Sequence, residues 1–151
     1  MSKATLAEDI AGQLRVMSTH AVVRSQLIAD RLGISVTDLE SLEVLAREGR
    51  MTAGRLAHAM GLTTGAITGL VDRLERAGYV TRNADPADRR KVLIELNMKE
   101  VSRAVFPLYA GLARSVGDYL GTLTVEQLKV IAKFLGAAVA LSEKDLQRLS
   151  R

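Results

Sequence analysis

Apolar residues recur at three- and four-residue spacing over much of the chain, which is the pattern of amphipathic helices. The first such stretch runs from Leu6 to about Arg31, and Gly33 supplies a stop. Its apolar positions are Leu6, Ile10, Leu14, Met17 and Ala21. Thr37 and Glu40 have the spacing of a capping box that opens a second helix, which Gly49 closes. The first fifty residues therefore predict a long helix followed by a shorter one.

Two short helices should follow, separated by a glycine. Thr52 has the side chain of an N-cap, and Gly61 ends the helix that it opens. Thr63 caps the next helix, which runs to Ala77. Gly78 then has the position of a left-handed C-terminal cap with an apolar residue behind it. The pattern predicts a helix, a tight turn and a second helix.

After this helix pair the apolar period changes from the helical value to two. The runs Tyr79–Arg82 and Lys91–Leu96 alternate, and an Asp-Pro turn lies between them. This arrangement predicts a small β-hairpin.

Helical spacing returns near residue 97. Asn97 and Glu100 can cap a helix there, and Pro107 should kink it because proline lacks the backbone amide. Its apolar positions are Val101, Val105, Leu108, Leu112, Val116 and Leu120. Thr124 and Gln127 form a further capping box, which opens a last helix reaching about Leu149.

The end helices carry more apolar surface than a small winged-helix core requires. The surplus near the C-terminus includes Val130, Ile131, Leu135, Val139 and Leu141. A two-fold partner built from the same helices is the simplest cover for this surface. An intramolecular helical bundle is the alternative.

These elements predict a mainly α fold with a small β-hairpin, a winged helix-turn-helix with long N- and C-terminal dimerisation helices. We expect residues 1–151 to form a single chain unit, with the winged helix-turn-helix over 37–97 and dimerisation helices over 1–33 and 98–151. The 48% hydrophobic and 25% charged content fits one globular domain.

Composition also limits the chemistry. The absence of cysteine excludes disulfides and thiolate metal sites, and two histidines distant in sequence do not make a ligand pair. We therefore expect no metal, no cofactor and no catalytic residue. No apolar run of about 18 residues is present, which predicts no membrane association and a cytoplasmic protein.

The helix pair has the small and apolar residues that a steep helix crossing needs. Ala57 is small where the backbones approach, Gly61 tolerates a positive φ at the turn, and Ile67 locks the second helix. Together these residues favour a helix-turn-helix. An ordinary helical hairpin in a core is the structural alternative.

If the second helix enters a DNA major groove, its first turns face the base edges. Those turns contain small or hydroxylic residues, namely Thr63, Thr64, Gly65, Ala66, Thr68 and Gly69. Thr64 and Thr68 can bond bases or touch thymine methyl groups, whereas Arg73 and Arg76 suit phosphates better. A glycine in a helix interior costs roughly 1 kcal/mol relative to alanine, so close approach to DNA would explain the two glycines.

Charge supports a nucleic-acid partner for the middle of the chain. Residues 50–91 hold eight basic side chains against four carboxylates, a net +4, while the two flanks carry −2 and +2 and cancel. The hairpin turn places Asp88, Arg89, Arg90 and Lys91 together. Arginines on a narrow hairpin tip can enter a minor groove, and Asp88 can hold a guanidinium in position. A merely solvated charged turn is the alternative.

The stretch LTTGAITGLVDRLERAGYVTRNADPADRRKVLIELN resembles the recognition helix and wing of the MarR (multiple antibiotic resistance regulator) family of bacterial transcription regulators. Asp88 and Arg90 match the D-x-R signature of the wing, and Asp72 and Arg73 match the D-R pair of the recognition helix. The likeness is strong over residues 52–97 and weaker in the flanking helices.

The resemblance implies a homodimer that binds double-stranded DNA, with Thr64 and Thr68 toward the major groove and Arg90 in the minor groove. It implies for Asp72 either a direct contact or a structural role in orienting neighbouring arginines. Family members often release DNA on binding a small aromatic or phenolic anion.

Here the candidate residues for such an effector are His20 and Arg24, one helical turn apart. A surface pair on a dimerising helix is the simpler interpretation of these two residues.

The sequence thus predicts a non-enzymatic transcriptional regulator, more in keeping with a repressor, bound to a near-palindromic operator. A winged-helix protein-protein interaction module without DNA binding is the alternative function. An enzyme is disfavoured because no acid-base pair, activated nucleophile or phosphate loop is evident.

Overall fold

The computed structural model describes residues 2–149. Two compact units divide the chain, one reaching Leu108 and the other beginning at Tyr109. The first unit contains the sheet and most of the buried side chains.

The first unit begins with two helices, α1 (Lys3–Leu32) and α2 (Val36–Glu48). Gly33 ends α1 with a left-handed backbone, as the sequence predicted. The expected capping box of Thr37 and Glu40 is wrong, because α2 begins earlier.

Ser35 is the N-cap of α2, and Asp38 stands at the third helical position. The Ser35 hydroxyl accepts from the Asp38 amide at 3.1 Å, and the Asp38 carboxylate accepts from the Ser35 amide at 3.2 Å. Both pairs of residues have the required spacing. In the Ser35 box the Asp38 carboxylate is buried and also accepts from Arg73, a tertiary contact that the exposed Glu40 does not make. Leu39, Leu42 and Leu45 of this helix are buried in the core.

Helices α3 (Ala53–Met60) and α4 (Thr64–Arg76) form the predicted pair, capped by Thr52 and Thr63. Gly61 makes the turn at a φ of 65°, and the Leu62 amide donates to the Ala57 carbonyl at 2.9 Å. The helix-turn-helix geometry therefore depends on a left-handed residue that glycine adopts without a steric penalty.

The same type of cap ends α4. The Gly78 amide donates to the Glu75 carbonyl at 3.0 Å, and the Tyr79 amide donates to the Leu74 carbonyl at 2.9 Å. The chain leaves the helix through Gly78 at a φ of 81°, and Tyr79 is buried behind it. This cap turns the chain directly into the first strand of the hairpin.

The hairpin belongs to a three-stranded antiparallel sheet of order β1-β3-β2. Its strands are β1 (Met51–Thr52), β2 (Val80–Ala84) and β3 (Val92–Leu96). Strands β2 and β3 confirm the predicted hairpin, in a register that pairs Arg82 with Ile94. Sequence reasoning missed β1, because two residues are too few to show a period of two.

Asn97 stands at the predicted N-cap position of the next helix, but the side-chain bonds expected of Asn97 and Glu100 are absent. The Asn97 side chain donates to the Gly78 carbonyl at 2.9 Å, and its backbone amide donates to the Tyr79 carbonyl at 2.8 Å. The Glu100 carboxylate accepts from Arg103 instead. The Asn97 side chain therefore joins the end of the sheet to the end of α4 and leaves the following helix without a side-chain cap.

That helix has three parts, α5 (Met98–Glu100), a π-helical stretch (Val101–Val105) and α6 (Phe106–Leu120). The irregularity expected at Pro107 lies just before it, in the wider π-helical turn of Val101–Val105. Proline has no amide to donate one turn back, so the regular ladder is interrupted there.

The second unit consists of the remainder of α6 and helix α7 (Val125–Leu149). The capping box of Thr124 and Gln127 is confirmed, with bonds of 2.8 and 3.2 Å. Neither helix buries a residue, and the predicted surplus at Val130, Leu135, Val139 and Leu141 is exposed. Over residues 2–149, no helix is long and apolar enough to cross a membrane.

The core of the first unit lies between α2, α3, α4 and the sheet. Its largest fully buried side chains include Leu39, Leu56, Ile67, Leu70, Leu74, Val80, Ile94 and Val101. Ala57 and Ile67 are buried at the helix crossing, as predicted. This packing fixes one face of α4 and leaves the opposite face in solvent.

Candidate nucleic-acid interface

The exposed face of α4 begins with three threonines that differ in their hydrogen bonds. Thr63 accepts from the Ala66 amide at 3.3 Å, so its oxygen caps the helix. The Thr68 hydroxyl donates to the Thr64 carbonyl at 2.9 Å. All three side chains are exposed, and the helix therefore presents small hydroxylic side chains to solvent.

Two glycines lie on the same helix without a structural reason inside the chain. A Cβ built on Gly65 meets no atom within 4 Å, and one on Gly69 meets only the Arg73 guanidinium at 3.8 Å. Neither glycine has a positive φ. No contact among the described residues therefore requires glycine at either position.

Arg73 is held by a carboxylate that the sequence analysis did not single out. Its Nε and Nη2 atoms donate to the two carboxylate oxygens of Asp38 at 3.2 and 2.6 Å. The Asp38 side chain is 3% exposed, whereas that of Arg73 is 52% exposed. Arg73 thus fixes α4 to the start of α2 and still presents half of its surface to solvent.

The electrostatics of Asp38 follow from these contacts. Burial by itself raises the pKa of Asp38, but the hydrogen bonds from Arg73 and Ser35 outweigh it and lower the pKa below its ordinary value. The carboxylate is therefore ionised at neutral pH and paired with the guanidinium.

Arg82 forms a second link, between the wing strand β2 and α4. Its Nη2 donates to the Asp72 carboxylate at 2.6 Å, and its Nη1 pairs with Glu75. The Arg82 side chain is 29% exposed. Asp72 therefore has the structural role that the resemblance allowed, since it orients a neighbouring arginine. Arg76, beside this cluster, donates to the Asp72 carbonyl at 3.1 Å and is exposed.

The wing tip is ordered by Asp88. Its Oδ1 accepts from the Arg90 amide at 3.2 Å and from the Arg90 Nε at 3.1 Å. Its Oδ2 lies 3.9 Å from the Lys91 ammonium. The expected contact of Asp88 with a guanidinium is confirmed. Arg90 is nevertheless 91% exposed, and Arg89 is exposed as well, so the tip offers several cations to a polyanion.

The candidate effector residues lie apart from this surface in the chain. His20 and Arg24 are one turn apart on α1, where His20 is exposed and Arg24 is half-buried. Among residues 2–149, no three His, Asp or Glu side chains are grouped in a way that suits a metal ion.

The helix pair, its glycine turn and the basic hairpin define a winged helix-turn-helix protein, a class that lays its second helix in the major groove of DNA. A model of the MarR family matches residues 34–92. The chain is 39% identical over 150 residues to YcgE of Bacillus subtilis, an uncharacterized HTH-type transcriptional regulator, across 99% of this chain and 97% of that protein. The chain belongs to the MarR family of transcriptional regulators.

Two further comparisons agree with this assignment. The HTH-type transcriptional repressor MdtR of Bacillus subtilis is 26% identical across 95% of this chain and 94% of its own length. The structure of a MarR family protein from Bacillus stearothermophilus is 27% identical, with a TM-score of 0.68, across 95% of this chain and 99% of that one. Members of the family are transcriptional regulators and not enzymes.

The structure divides the residues that the sequence singled out for DNA binding between the exposed face of α4 and the turn that joins β2 and β3, and it adds two residues that the sequence did not show. Asp38 and Arg82 hold α4 from its two sides. The capping-box spacing of Ser35 and Asp38 was a usable signal for Asp38. Arg82 had no comparable signal, because its partners lie seven and ten residues away on another type of element.

Proposed function

We propose that this regulator binds a near-palindromic operator as a homodimer, with α4 in the major groove and the wing in the adjacent minor groove. The observation that carries the proposal is the exposed face of α4, where the helix begins with small side chains and two glycines that no internal contact requires, while its opposite face is buried in the core. A groove-filling helix needs such a face, because the backbone must come close to the bases.

The residues proposed to contact DNA divide by their chemistry. Thr63, Thr64, Gly65, Thr68 and Gly69 form the face toward the bases, and Arg73 and Arg76 serve phosphates farther along α4. On the wing, Arg90 enters the minor groove, Asp88 holds it, and Arg89 and Lys91 contact the flanking phosphates.

The homodimer is supported by the surface that the chain exposes. Among the described residues, the exposed large apolar side chains include seven from α1 and eight from α7. Apolar surface of this extent on two long helices is typical of a face that a partner covers. A second copy of the chain offers the same helices and is the simplest such partner. We propose residues 1–33 and 98–151 as the dimerisation helices, flanking a DNA-binding region at 37–97.

Repression is the mode we propose, since the relative MdtR is named a repressor. A dimer bound across an operator would block other proteins from binding the same DNA. Repression of this kind requires no further interaction surface on the regulator.

The operator proposal is tested by selecting bound sequences from a pool of random duplexes. We expect an inverted repeat whose half-sites are centred about 34 Å apart, one turn of DNA. A motif with a single half-site, or a monomer bound to the selected duplex, would overturn the dimeric arrangement.

We further propose that a small aromatic anion releases the regulator from DNA by binding near His20 and Arg24. The two side chains lie on one face of α1 and provide a cation and a ring nitrogen for a carboxylate. Benzoate and salicylate are suitable probes, and both should weaken operator binding by the wild type but not by the Arg24→Ala variant. Equal release of both proteins would exclude this site.

The alternative of a protein-interaction module is not favoured, because the relatives are named transcriptional regulators. It would regain support if the random pool yielded no enriched duplex.

A further inference from the structure

The two threonines proposed to face the bases differ in how their hydroxyl groups are used. Thr64 and Thr68 are four residues apart and therefore lie on the same face of α4. The Thr68 hydroxyl donates its proton to the Thr64 carbonyl at 2.9 Å. Within residues 2–149, the Thr64 side chain makes no hydrogen bond.

A hydroxyl group has one proton to donate and two lone pairs to accept with. Because the Thr68 proton is committed to the helix, this residue has no donor to offer a base. Its oxygen is drawn against the preceding turn, which leaves the methyl group as the part of the side chain that projects outward. Thr64 retains a donor that is free to rotate.

We propose that Thr64 reads its base pair through a donated hydrogen bond, whereas Thr68 reads its base pair through its methyl group. Thr64 would donate to an acceptor on a major-groove edge, such as N7 or O6 of guanine or O4 of thymine. Thr68 would pack its methyl group on the C5-methyl group of a thymine. This division rests on the proposed placement of α4 in the major groove.

The neighbouring residues are consistent with this division. Thr63 has its oxygen engaged as the cap, so it is not an equivalent reader. Gly65 adds no side chain beside Thr64, and Gly69 adds none beside Thr68. The two threonine side chains can therefore approach the bases without a larger neighbour holding the helix away.

Four single variants separate the two roles, because valine keeps the shape of threonine without the hydroxyl and serine keeps the hydroxyl without the methyl group. For each of T64V, T64S, T68V and T68S we would repeat the random-duplex selection and measure affinity for the wild-type motif. Thermal unfolding and gel filtration of each variant check that the fold and the oligomeric state are retained.

We expect T64V and T68S to lose base preference at one position of each half-site and to bind at least about fivefold more weakly, the lower end of one base contact. T64S should retain more affinity and base preference than T64V, and T68V should retain more than T68S. The reverse pattern, or four variants that all behave alike, would overturn the division of roles.

Failure of the proposed function has a different signature. If the wild type itself enriched no duplex, both the operator proposal and the division of roles would fall together. If the wild type enriched an inverted repeat and T64V enriched the same repeat with equal affinity, only the role assigned to Thr64 would be wrong.

Discussion

Arg90 is the residue whose exposure most directly suits a partner outside the chain. Its guanidinium is held at Nε by Asp88, but the side chain is 91% exposed and supports no packing. We predict that Arg90→Ala weakens specific operator binding by on the order of 1 to 3 kcal/mol without changing the dimer or the stability. Fluorescence anisotropy with the selected duplex and gel filtration measure these quantities.

Arg47→Ala is a matched control for this prediction. It removes the same charge from an α2 side chain that is 70% exposed and lies outside the proposed interface. The control should retain operator affinity apart from a small effect of net charge. If Arg47→Ala and Arg90→Ala lost the same amount of operator affinity, the wing arginine would contribute only to the overall electrostatic field of the protein.

Asp38 has the opposite character, since nearly all of its interactions are internal. It completes the capping box of α2 and accepts two bonds from Arg73. Asp38→Asn keeps the shape but loses the charge of a buried partner, so we predict a loss of about 1.5 to 3 kcal/mol in the free energy of unfolding at pH 7. Urea unfolding measures it.

The pH dependence of this loss follows from the lowered pKa of Asp38. The unfolded carboxyl titrates near its ordinary pKa of about 3.9, and the folded one titrates below that. The contribution of Asp38 is therefore present in full above about pH 4 and is lost as pH falls through the folded pKa. We expect the stability difference between wild type and Asp38→Asn to shrink between pH 4 and pH 3. A constant difference over that range would contradict the ionised pair.

At the scale of the element, we expect the glycines of α4 to lower the stability of the protein and to favour operator binding. Gly65 lies in a helix, has no positive φ, and has open space where a Cβ would be. Gly65→Ala should therefore raise the free energy of unfolding by roughly 0.5 to 1 kcal/mol, because alanine favours the helix. If α4 approaches DNA closely, the same change should weaken operator binding severalfold.

Gly54→Ala in α3 is the control, because a Cβ there also meets open space but outside the proposed interface. It should give a similar gain in stability and unchanged affinity. Thermal unfolding and anisotropy on both variants decide the matter. If Gly65→Ala bound the operator as tightly as the wild type, a close approach of α4 to DNA would not explain the glycine.

The wing and α4 are joined by the cluster of Arg82, Asp72 and Glu75. Breaking it with Arg82→Gln removes the only arginine of the wing strands and leaves two carboxylates beside the proposed phosphate-binding face. We predict faster amide hydrogen exchange over 80–96 and severalfold weaker operator binding.

The triple variant Arg82→Gln, Asp72→Asn, Glu75→Gln tells the two effects of that change apart. It removes the negative charges of Asp72 and Glu75, which the lost arginine no longer compensates, but it does not restore the link between the wing and α4. Recovery of affinity without recovery of exchange protection would show that charge compensation is the main contribution. No change of either quantity in Arg82→Gln would refute a positioning role.

At the scale of the whole molecule, the proposed dimer and its charge distribution can be tested together. A dimer that makes 6 to 10 phosphate contacts should bind its operator about 10³- to 10⁵-fold more weakly at 200 mM salt than at 50 mM salt.

Phe134→Glu in α7 replaces an apolar side chain that is 42% exposed with a charged one, and it should shift the chain from dimer to monomer in light scattering. Salt-independent binding, or a wild type that is monomeric at micromolar concentration, would contradict the proposed assembly.

Local signals in the sequence determined the elements and several of their ends. Some of these signals span only a few residues, such as a glycine after a helix, a threonine before one, or a change of apolar period. They can therefore be recognised in the sequence without knowledge of the fold. They gave α3, α4, the hairpin and the box at Thr124 correctly. They were ambiguous for α2, where two capping-box spacings overlap and the tertiary contact of Asp38 with Arg73 accompanies the box that forms.

Contacts between residues distant in sequence were decided by the tertiary structure alone. Arg73 and Asp38 are 35 residues apart, and Asn97 and Gly78 are 19 apart, so no local spacing links them. Strand β1 exists because β3 offers an edge to a two-residue segment. The sequence therefore determined which helix carries the small and hydroxylic face, and the fold decided how that helix is held in place.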